Sequence, residues 1–394
     1  MLLSVVSFLQ DAASELLYPL LPIFLTVTLG APPVVVGLVE GVAEGAASVT
    51  KLASGALTSL YPRRRLIGAG YGLAALGKLL VALAPGWPVV LAGRAVDRFG
   101  KGMRGAPRDA LLVDGIPVRA RGRAFGVHRT ADTLGAVVGP LLGLAAYQAF
   151  DHRIRPVLWI AVVPAVLSVL AVFAVRDQRR PERSGEVLGV GAIVGAVLRG
   201  IVRPPRGLPR DYWRVVGLVV CFGVVNFPDA LILLRLSEIG FSVTAVIGAY
   251  VLFNLVYAAA SLPAGALADR LGPARVFAVG MLAFAVAYVG LGVTEDRRTA
   301  WALLALYGLF AAFTDGVGKT WVSTLLDHDV QSAGQGFMQG LSGLAVLVAG
   351  VWAGAFWGAR GSLPLIVSGL VAGALAVVVL VLVGRGRRTR PQAR

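Results

Sequence analysis

The chain has 394 residues, 57% of them hydrophobic and 15% charged, with a formal net charge of +16. Soluble domains carry about 25% charged residues, so a chain this apolar has no surface to offer water, and an integral membrane protein is predicted. The single cysteine, Cys221, excludes intrachain disulfides and argues against cysteine-based metal sites, and the basic residues cluster at the ends of apolar runs rather than on one soluble face, which argues against nucleic acid.

Twelve apolar runs of spanning length follow one another, separated by turn or charge signals. In the first half they are Ser4–Leu29, Val34–Leu60, Leu66–Ala84, Trp87–Val113, Ala124–Phe150 and Val157–Val175. A basic link, Arg176–Arg214, contains a mildly amphipathic piece at Val187–Val202 that is read as a surface segment or a tether. The second half gives Val215–Leu236, Val243–Asp269, Val276–Val293, Thr299–Leu326, Gly334–Trp357 and Leu363–Gly384, followed by a basic tail. No cleavable signal peptide is expected, because Met1–Leu29 lacks a basic start and acids interrupt its apolar run. The predicted fold is all-α, with twelve transmembrane helices in two pseudo-symmetric bundles. Residues 1–175 form one bundle and 215–384 the other, with a linker at 176–214 and a tail at 385–394.

Lysine and arginine placement sets the orientation. One set of loops holds 22 basic residues: three at Arg63–Arg65, three between Arg119 and Arg123, nine in the link, Arg270 and Arg275, and five in the tail. The other set holds five: Arg153, Arg155, Arg297, Arg298 and Arg360. Both termini are therefore expected in the cytoplasm of a prokaryotic cell, with the chain a multi-pass protein of its plasma membrane.

The fourth span is the anomaly. At about 100° per residue, Arg94, Asp97, Arg98, Lys101, Arg104 and Arg108 share one face, opposite Val96, Phe99, Met103 and Ala106. Each charge costs about 2.5–3.5 kcal/mol at the bilayer centre, so this stripe must face protein or a watery cavity. Nine acids and ten bases lie within spans, a near balance that favours pairing. Glu40, Glu44 and Lys51 share a face, and Asp315–Lys319 and Arg129–Asp132 have helical pair spacing. Arg104, Arg108, Asp109, Arg129 and Asp132 lie at the linker-side ends and read as a gate or anchor. Asp11, Glu15, Glu44, Arg94, Asp97, Lys101, Asn226, Asp229, Arg235, Asp315 and Lys319 lie at mid-depth. Asp11 or Glu15, with Asp97 against Arg94 or Lys101, is the expected proton carrier, because a cation displaced by substrate changes the acid's proton affinity. Trp87, Trp159, Trp213, Trp301 and Trp357 lie at span ends and read as interfacial anchors.

The halves repeat. Asp97-x-x-Gly-Lys101 returns as Asp315-x-x-Gly-Lys319, Gly55-Ala-Leu as Gly265-Ala-Leu, and Phe125 as Phe337, at offsets of 218, 210 and 212 residues. Duplicated halves place a substrate path between them near the midplane.

These features resemble the major facilitator superfamily over the whole chain. Gly265-Ala-Leu-Ala-Asp269-Arg270-Leu-Gly272 is close to that family's loop motif, whereas the first-half copy has Ser59 and Leu60 in place of the Asp-Arg pair. Gly126-x8-Gly135-x3-Gly139-Pro140-x2-Gly143 resembles its antiporter motif, with Leu144 replacing the last glycine. Arg94 stands where the family has a fourth-span arginine, and the string from Gly100 to Asp109, with Asp11-x-x-Ser-Glu15, resembles a poorly characterised prokaryotic permease branch. The resemblance implies a secondary transporter that works as a monomer by alternating access, with its cavity lined by the first, fourth, seventh and tenth spans and with Gly265, Asp269 and Arg270 closing the cytoplasmic side. The glycine motif implies exchange of a small organic or amphipathic substrate for protons, with exit from the cell. The basic excess of the fourth span favours instead uptake or exchange of a polar or anionic solute. Phosphate-cradling loops, a nucleophile elbow and His-rich sets are missing from the sequence, so neither an enzyme nor a cofactor or metal is expected.

Overall fold

A computed structural model describes residues 2–60, 62–112, 118–174, 207–326 and 328–388. Within these, the side chains of 52–60, 106, 109–110, 118–127, 129–130, 328–333 and 384–388 are not described. The predicted surface piece Val187–Val202 and the tail after Arg388 lie outside the described residues.

The described chain crosses twelve times. Span 1 is Leu2–Leu17 continued by Leu21–Ile23 and a π-helical stretch, Phe24–Thr28. Spans 2 to 6 are Pro33–Leu60, Arg63–Leu83, Trp87–Leu112, Val118–Ala149 and Ile154–Phe173. Span 7 is Arg210–Val225 plus Asp229–Glu238. Spans 8 to 12 are Val243–Leu271, Pro273–Val293, Arg297–Ser323, His328–Ala355 and Ser362–Arg388. Among the described residues nine of these are long and apolar enough to cross a membrane unaided. Spans 1, 4 and 5 are the others, and spans 1 and 4 are where the acids and the charged stripe reside.

Spans 1 and 7 were expected to be continuous; both are broken. Proline supplies no backbone N–H and pushes the preceding residue out of the helical region. Pro19 interrupts span 1 after Leu17, Pro22 sits in the first turn where that span resumes, and Pro228 interrupts span 7 after Val225. Two of the carbonyls at the break in span 7 take side-chain donors. Trp352 Nε1 donates to Val224 O at 2.7 Å and the Tyr288 hydroxyl to Phe227 O at 3.4 Å. Such side-chain donors are what an apolar medium demands of a broken helix.

Helix pairing repeats between the halves. Span 1 packs on 5 and 6, span 3 on 4 and 6, and span 2 on 4. Adding six to each number gives the principal pairings of the second half: 7 on 11 and 12, 9 on 10 and 12, and 8 on 10. Glycines bring spans 3 and 4 together, since a methyl on Gly70 or Gly93 would come within 2.7 Å of the facing carbonyl oxygen of Gly100 or Gly77. Close backbone approach of this kind holds helices together where no hydrophobic force between them exists.

The halves meet through spans 2 and 11, spans 5 and 8, and the short segments Leu21–Ile23 and Asp229–Glu238. Along spans 2 and 11 the contact is backbone on backbone. A methyl on Gly350 would lie 2.5 Å from Gly37 O, and one on Gly354 would lie 2.7 Å from Val34 Cα. One apolar core joins the halves at the end remote from the linker, bringing Leu20, Leu21 and Phe24 to Leu231, Leu236 and Trp357, and in the second half it continues down to Ala268 and Val276. Toward the linker the core also has a separate cluster in each half, Leu3, Ile67, Tyr71 and Leu112 in the first and Tyr212, Val322 and Met338 in the second. The molecule is closed at the remote end and parted at the linker end.

The second half is also pinned at the remote end. Arg235, expected at mid-depth, is fully buried there and donates to Leu291 O at 3.0 Å, Thr294 O at 2.9 Å and Glu295 at 3.2 Å. Arg360 reaches the same Glu295 oxygen at 3.1 Å. Trp357 is likewise 2% exposed, with Nε1 donating to Glu238 at 2.8 Å, so it is a core residue and not the interfacial anchor its position suggested.

Candidate functional site

The upper part of the span 4 stripe is locked into ion pairs inside the first half. Arg94 donates from Nε and NH2 to the two Glu40 oxygens at 2.9 and 2.8 Å, a bidentate arrangement among the strongest hydrogen-bonded pairs. Its NH1 lies 3.5 Å from Asp97, whose other oxygen takes a 3.0 Å bond from Lys78 Nζ. Glu40, Lys78, Arg94 and Asp97 are each at most 3% exposed, and their charges cancel. The glycine contact between spans 3 and 4 sets this register, because Gly77 packs on Asp97 and so delivers Lys78 beside it. Asp97 thus pairs with Lys78 and Arg94, whereas Lys101 was an expected partner. Arg98, also buried, lies 3.7 Å from Glu44.

Other candidates face the gap between the halves. Lys51, Lys101, Asp315 and Lys319 are exposed, and Asp11, Glu15 and Asp229 are partly buried. Glu15 lies in electrostatic range of Lys101, Arg98 and Asp11, and Lys51 in range of Lys319 across the gap. Asp229 is within range of Asp315, Glu15 and Glu44. The structure therefore gathers residues from spans 1, 2, 4, 7 and 10 around one space. Asn226 ends the first segment of span 7 at its break.

Three carboxylates in this space are held by tyrosines. Tyr250 of span 8 donates to Glu15 of span 1 at 2.5 Å, a bond between the halves. Tyr307 donates to Asp229 at 2.5 Å, and Tyr257 to Asp315 at 3.1 Å. Their rings form a wall: Tyr18 lies 5.3 Å from Tyr250, Phe253 5.2 Å from Tyr307 and 6.3 Å from Tyr257. The Arg94 guanidinium stands 5.9 Å above Tyr18, linking the ion-paired group to the wall. Helical spacing explains the arrangement, since Tyr250, Phe253 and Tyr257 follow at i, i+3 and i+7 on one face of span 8.

The linker-side set is anchored locally. Arg104 is buried with its guanidinium 4.4 Å over the Tyr71 ring, and Arg108 donates to Ser7 at 3.0 Å, whose hydroxyl in turn meets that of Tyr71 at 3.2 Å. Spans 1, 3 and 4 are thereby tied together. Asp132 lies 3.8 Å from His128. Gly265, Asp269 and Arg270 are exposed at the parted end of span 8, where Asp269 and Arg270 make no ion pair among the described residues. The side chains of Asp109 and Arg129, and the surroundings of Gly126, lie outside the described set. The other glycines of the motif press on span 1. Methyls on Gly135 and Gly139 would lie 3.0 Å from the Cβ atoms of Asp11 and Glu15, one on Gly143 would lie 3.0 Å from Leu16 O, and Pro140 is buried within the same helix.

Sequence reasoning missed Glu40 and Lys78 as partners of the stripe and all four tyrosines. Glu40 and Lys78 stood out as charges in apolar runs, so a search for the compensating groups of Arg94 and Asp97 had them in view. A tyrosine carries no charge and leaves no such mark.

Two repeated six-helix bundles around a charged gap, closed at one end and parted at the other, define a membrane transporter. The chain matches the sequence profile of the Major Facilitator Superfamily over residues 3–236 and 215–394, and it belongs to that family. It is 28% identical over 384 residues to an uncharacterised MFS-type transporter of Methanocaldococcus jannaschii, covering 94% of this chain and 93% of that one. It is 27% identical over 334 residues to the multidrug resistance protein MdtG of Citrobacter koseri, covering 82% and 79%. Among solved structures, the nucleoside transporter NupG superposes with a TM-score of 0.76 at 13% identity, covering 96% of this chain and 98% of that one. A peptide transporter POT in complex with sulfate gives 0.79 at 14% identity, with 98% and 94% covered. These two likenesses show the fold alone.

Proposed function

We propose that the chain is a proton-coupled antiporter that exports small organic or amphipathic molecules by alternating access, here with its cavity open to the cytoplasm. The termini and the linker are cytoplasmic on the 22-to-five split of basic residues, and the protein works as a monomer in the prokaryotic plasma membrane. The observation that carries the reading is the bond from Tyr250 to Glu15, which joins the halves through a group able to hold a proton. Protonating Asp97 or Glu40 would strand a buried cation. Protonating Glu15 or Asp229 breaks no such ion pair, because the hydrogen bond each accepts comes from a neutral hydroxyl. Proton exchange belongs on those two, with Glu15 foremost, and the ion-paired acids are structural. The glycine motif pressing on the Asp11 and Glu15 turns and the MdtG relative support exchange and export.

One observation favours a second reading, uptake or exchange of an anionic solute: Lys51, Lys101 and Lys319 stand exposed in the gap. Purified protein in liposomes with an imposed pH gradient tests the proton assignment. Glu15→Gln should lose gradient-driven flux yet keep counterflow; if it stays fully coupled, the assignment falls. A thermal-shift screen across drugs and metabolites separates the two substrate readings, and stabilisation confined to anionic metabolites would sink the exporter.

A further inference from the structure

At the closed end, on the outer flank of the first half, lies a groove of ≈ 950 Å³. Its rim carries Arg153 and Arg155, and its floor carries Trp159, Val163 and Val27. The consecutive residues Asp151 and His152 hold left-handed backbone, with φ of 51° and 64°, and so turn the chain sharply between spans 5 and 6. That turn puts both arginines at the head of span 6. Arg155, Trp159 and Val163 then follow at i, i+4 and i+8, one helix face descending into the membrane by about 6 Å per step. Trp159 is 44% exposed, Val163 57% and Val27 75%, so the stripe and its facing wall are open to lipid.

Charge singles out the site. The remote loops hold five arginines: Arg360 shares Glu295 with Arg235, and Arg297 and Arg298 follow Asp296, which Arg298 stabilises electrostatically. Arg155 lies 5.7 Å over the Phe24 ring, and Arg153 reaches only the Phe150 carbonyl oxygen at 3.4 Å. Neither has an acidic partner among the described residues, Asp151 included. Two unneutralised guanidinium groups above an aromatic and aliphatic channel fit an anion with a hydrocarbon tail. A soluble anion has no use for the channel, and a zwitterionic lipid has less use for two cations.

We infer that this groove binds one anionic phospholipid of the remote leaflet, with its phosphate between Arg153 and Arg155 and an acyl chain along Trp159 and Val163. Val243 of span 8 completes the lining from the second half. A bound lipid therefore touches both halves and favours the closed remote end.

Native mass spectrometry of the intact protein, titrated with phosphatidylglycerol and with phosphatidylcholine as control, tests this. Wild type should retain one phosphatidylglycerol under activation that strips phosphatidylcholine. At roughly fivefold per arginine, Arg153→Gln with Arg155→Gln should weaken phosphatidylglycerol binding about 25-fold and leave phosphatidylcholine unchanged. Trp159→Ser, which keeps both charges, should weaken it as well. Equal retention of phosphatidylglycerol by the double variant overturns the proposal. So does glycerol phosphate raising the melting temperature as much as phosphatidylglycerol does, since the site would then serve a soluble anion. Both arginines are exposed, so neither change removes a buried side chain.

Discussion

Asp97→Asn is the substitution that separates a structural ion pair from a working proton site. Lys78 is 1% exposed and has its carboxylate partner at 3.0 Å, while Arg94 keeps its two bonds to Glu40. Removing one partner of a buried pair costs about 3–5 kcal/mol. The introduced amide still offers one acceptor oxygen, which places the effect at the lower end, about 3 kcal/mol. At about 2–4 °C per kcal/mol for a unit of 150–250 residues, the melting temperature should fall by about 6–12 °C. Heating in detergent followed by fluorescence-detected size exclusion measures this. Lys78→Met combined with Asp97→Leu removes both charges and should melt close to wild type, because paired replacement by apolar groups is often neutral. Flux per folded molecule should stay gradient-driven in Asp97→Asn. A variant that melts like wild type but loses gradient-driven flux refutes the reasoning, because Asp97 would then be a proton carrier and the Lys78 contact incidental.

Four further outcomes are expected. Tyr250→Phe removes a hydrogen bond to a carboxylate, about 1.5–3 kcal/mol, and should raise the population with separated remote ends about tenfold or more; spin-label distances between the exposed positions Thr28 and Arg298 report it, and an unchanged distribution counts against a latch role. Gly350→Leu cannot coexist with the Gly37 contact and should hold the remote end open in the same measurement. Trp352→Phe leaves the Val224 carbonyl oxygen without its 2.7 Å donor and should cost about 1–3 kcal/mol, read as a lower melting temperature. At the remote loop, the hydrogen bond from Arg235 holds the Glu295 carboxyl below its ordinary value. Because the folded value is the lower one, this contact should stabilise the protein above roughly pH 4.3 and fade as pH falls through the lowered value; Glu295→Gln should flatten that acid limb in a melting-against-pH series.

The twelve spans, their repeat and the inward placement of the span 4 stripe were legible because burying a charge in lipid is so costly that its position constrains everything around it. The same cost made it reasonable to expect partners, yet the identity of those partners depended on helix register. Spans 3 and 4 meet through Gly70, Gly77, Gly93 and Gly100, and only that close approach delivers Lys78 to Asp97. The breaks were written in Tyr18-Pro19 and Phe227-Pro228, but a hydropathy window averages over a proline. The tyrosine wall was the least legible part. Tyr250 and Tyr307 are ordinary apolar-run residues until helix packing sets a carboxylate opposite each hydroxyl, Glu15 from the other half and Asp229 from within the same one.

The two proline breaks occupy matching places in the halves, and the short pieces beyond them, Leu21–Ile23 and Asp229–Glu238, pack on one another. A seal made from helix ends set off by proline breaks can hinge at those breaks, and in the second half Arg235 ties its piece to the end of span 9. Such a seal can loosen while spans 2 and 11 stay engaged, which gives the transport cycle an extra stop in which the remote lid has yielded and the frame has not yet tilted. Faster amide exchange across 229–238 than across 215–225 is the signature of that stop, and equal protection of the two segments would mean that lid and frame move as one.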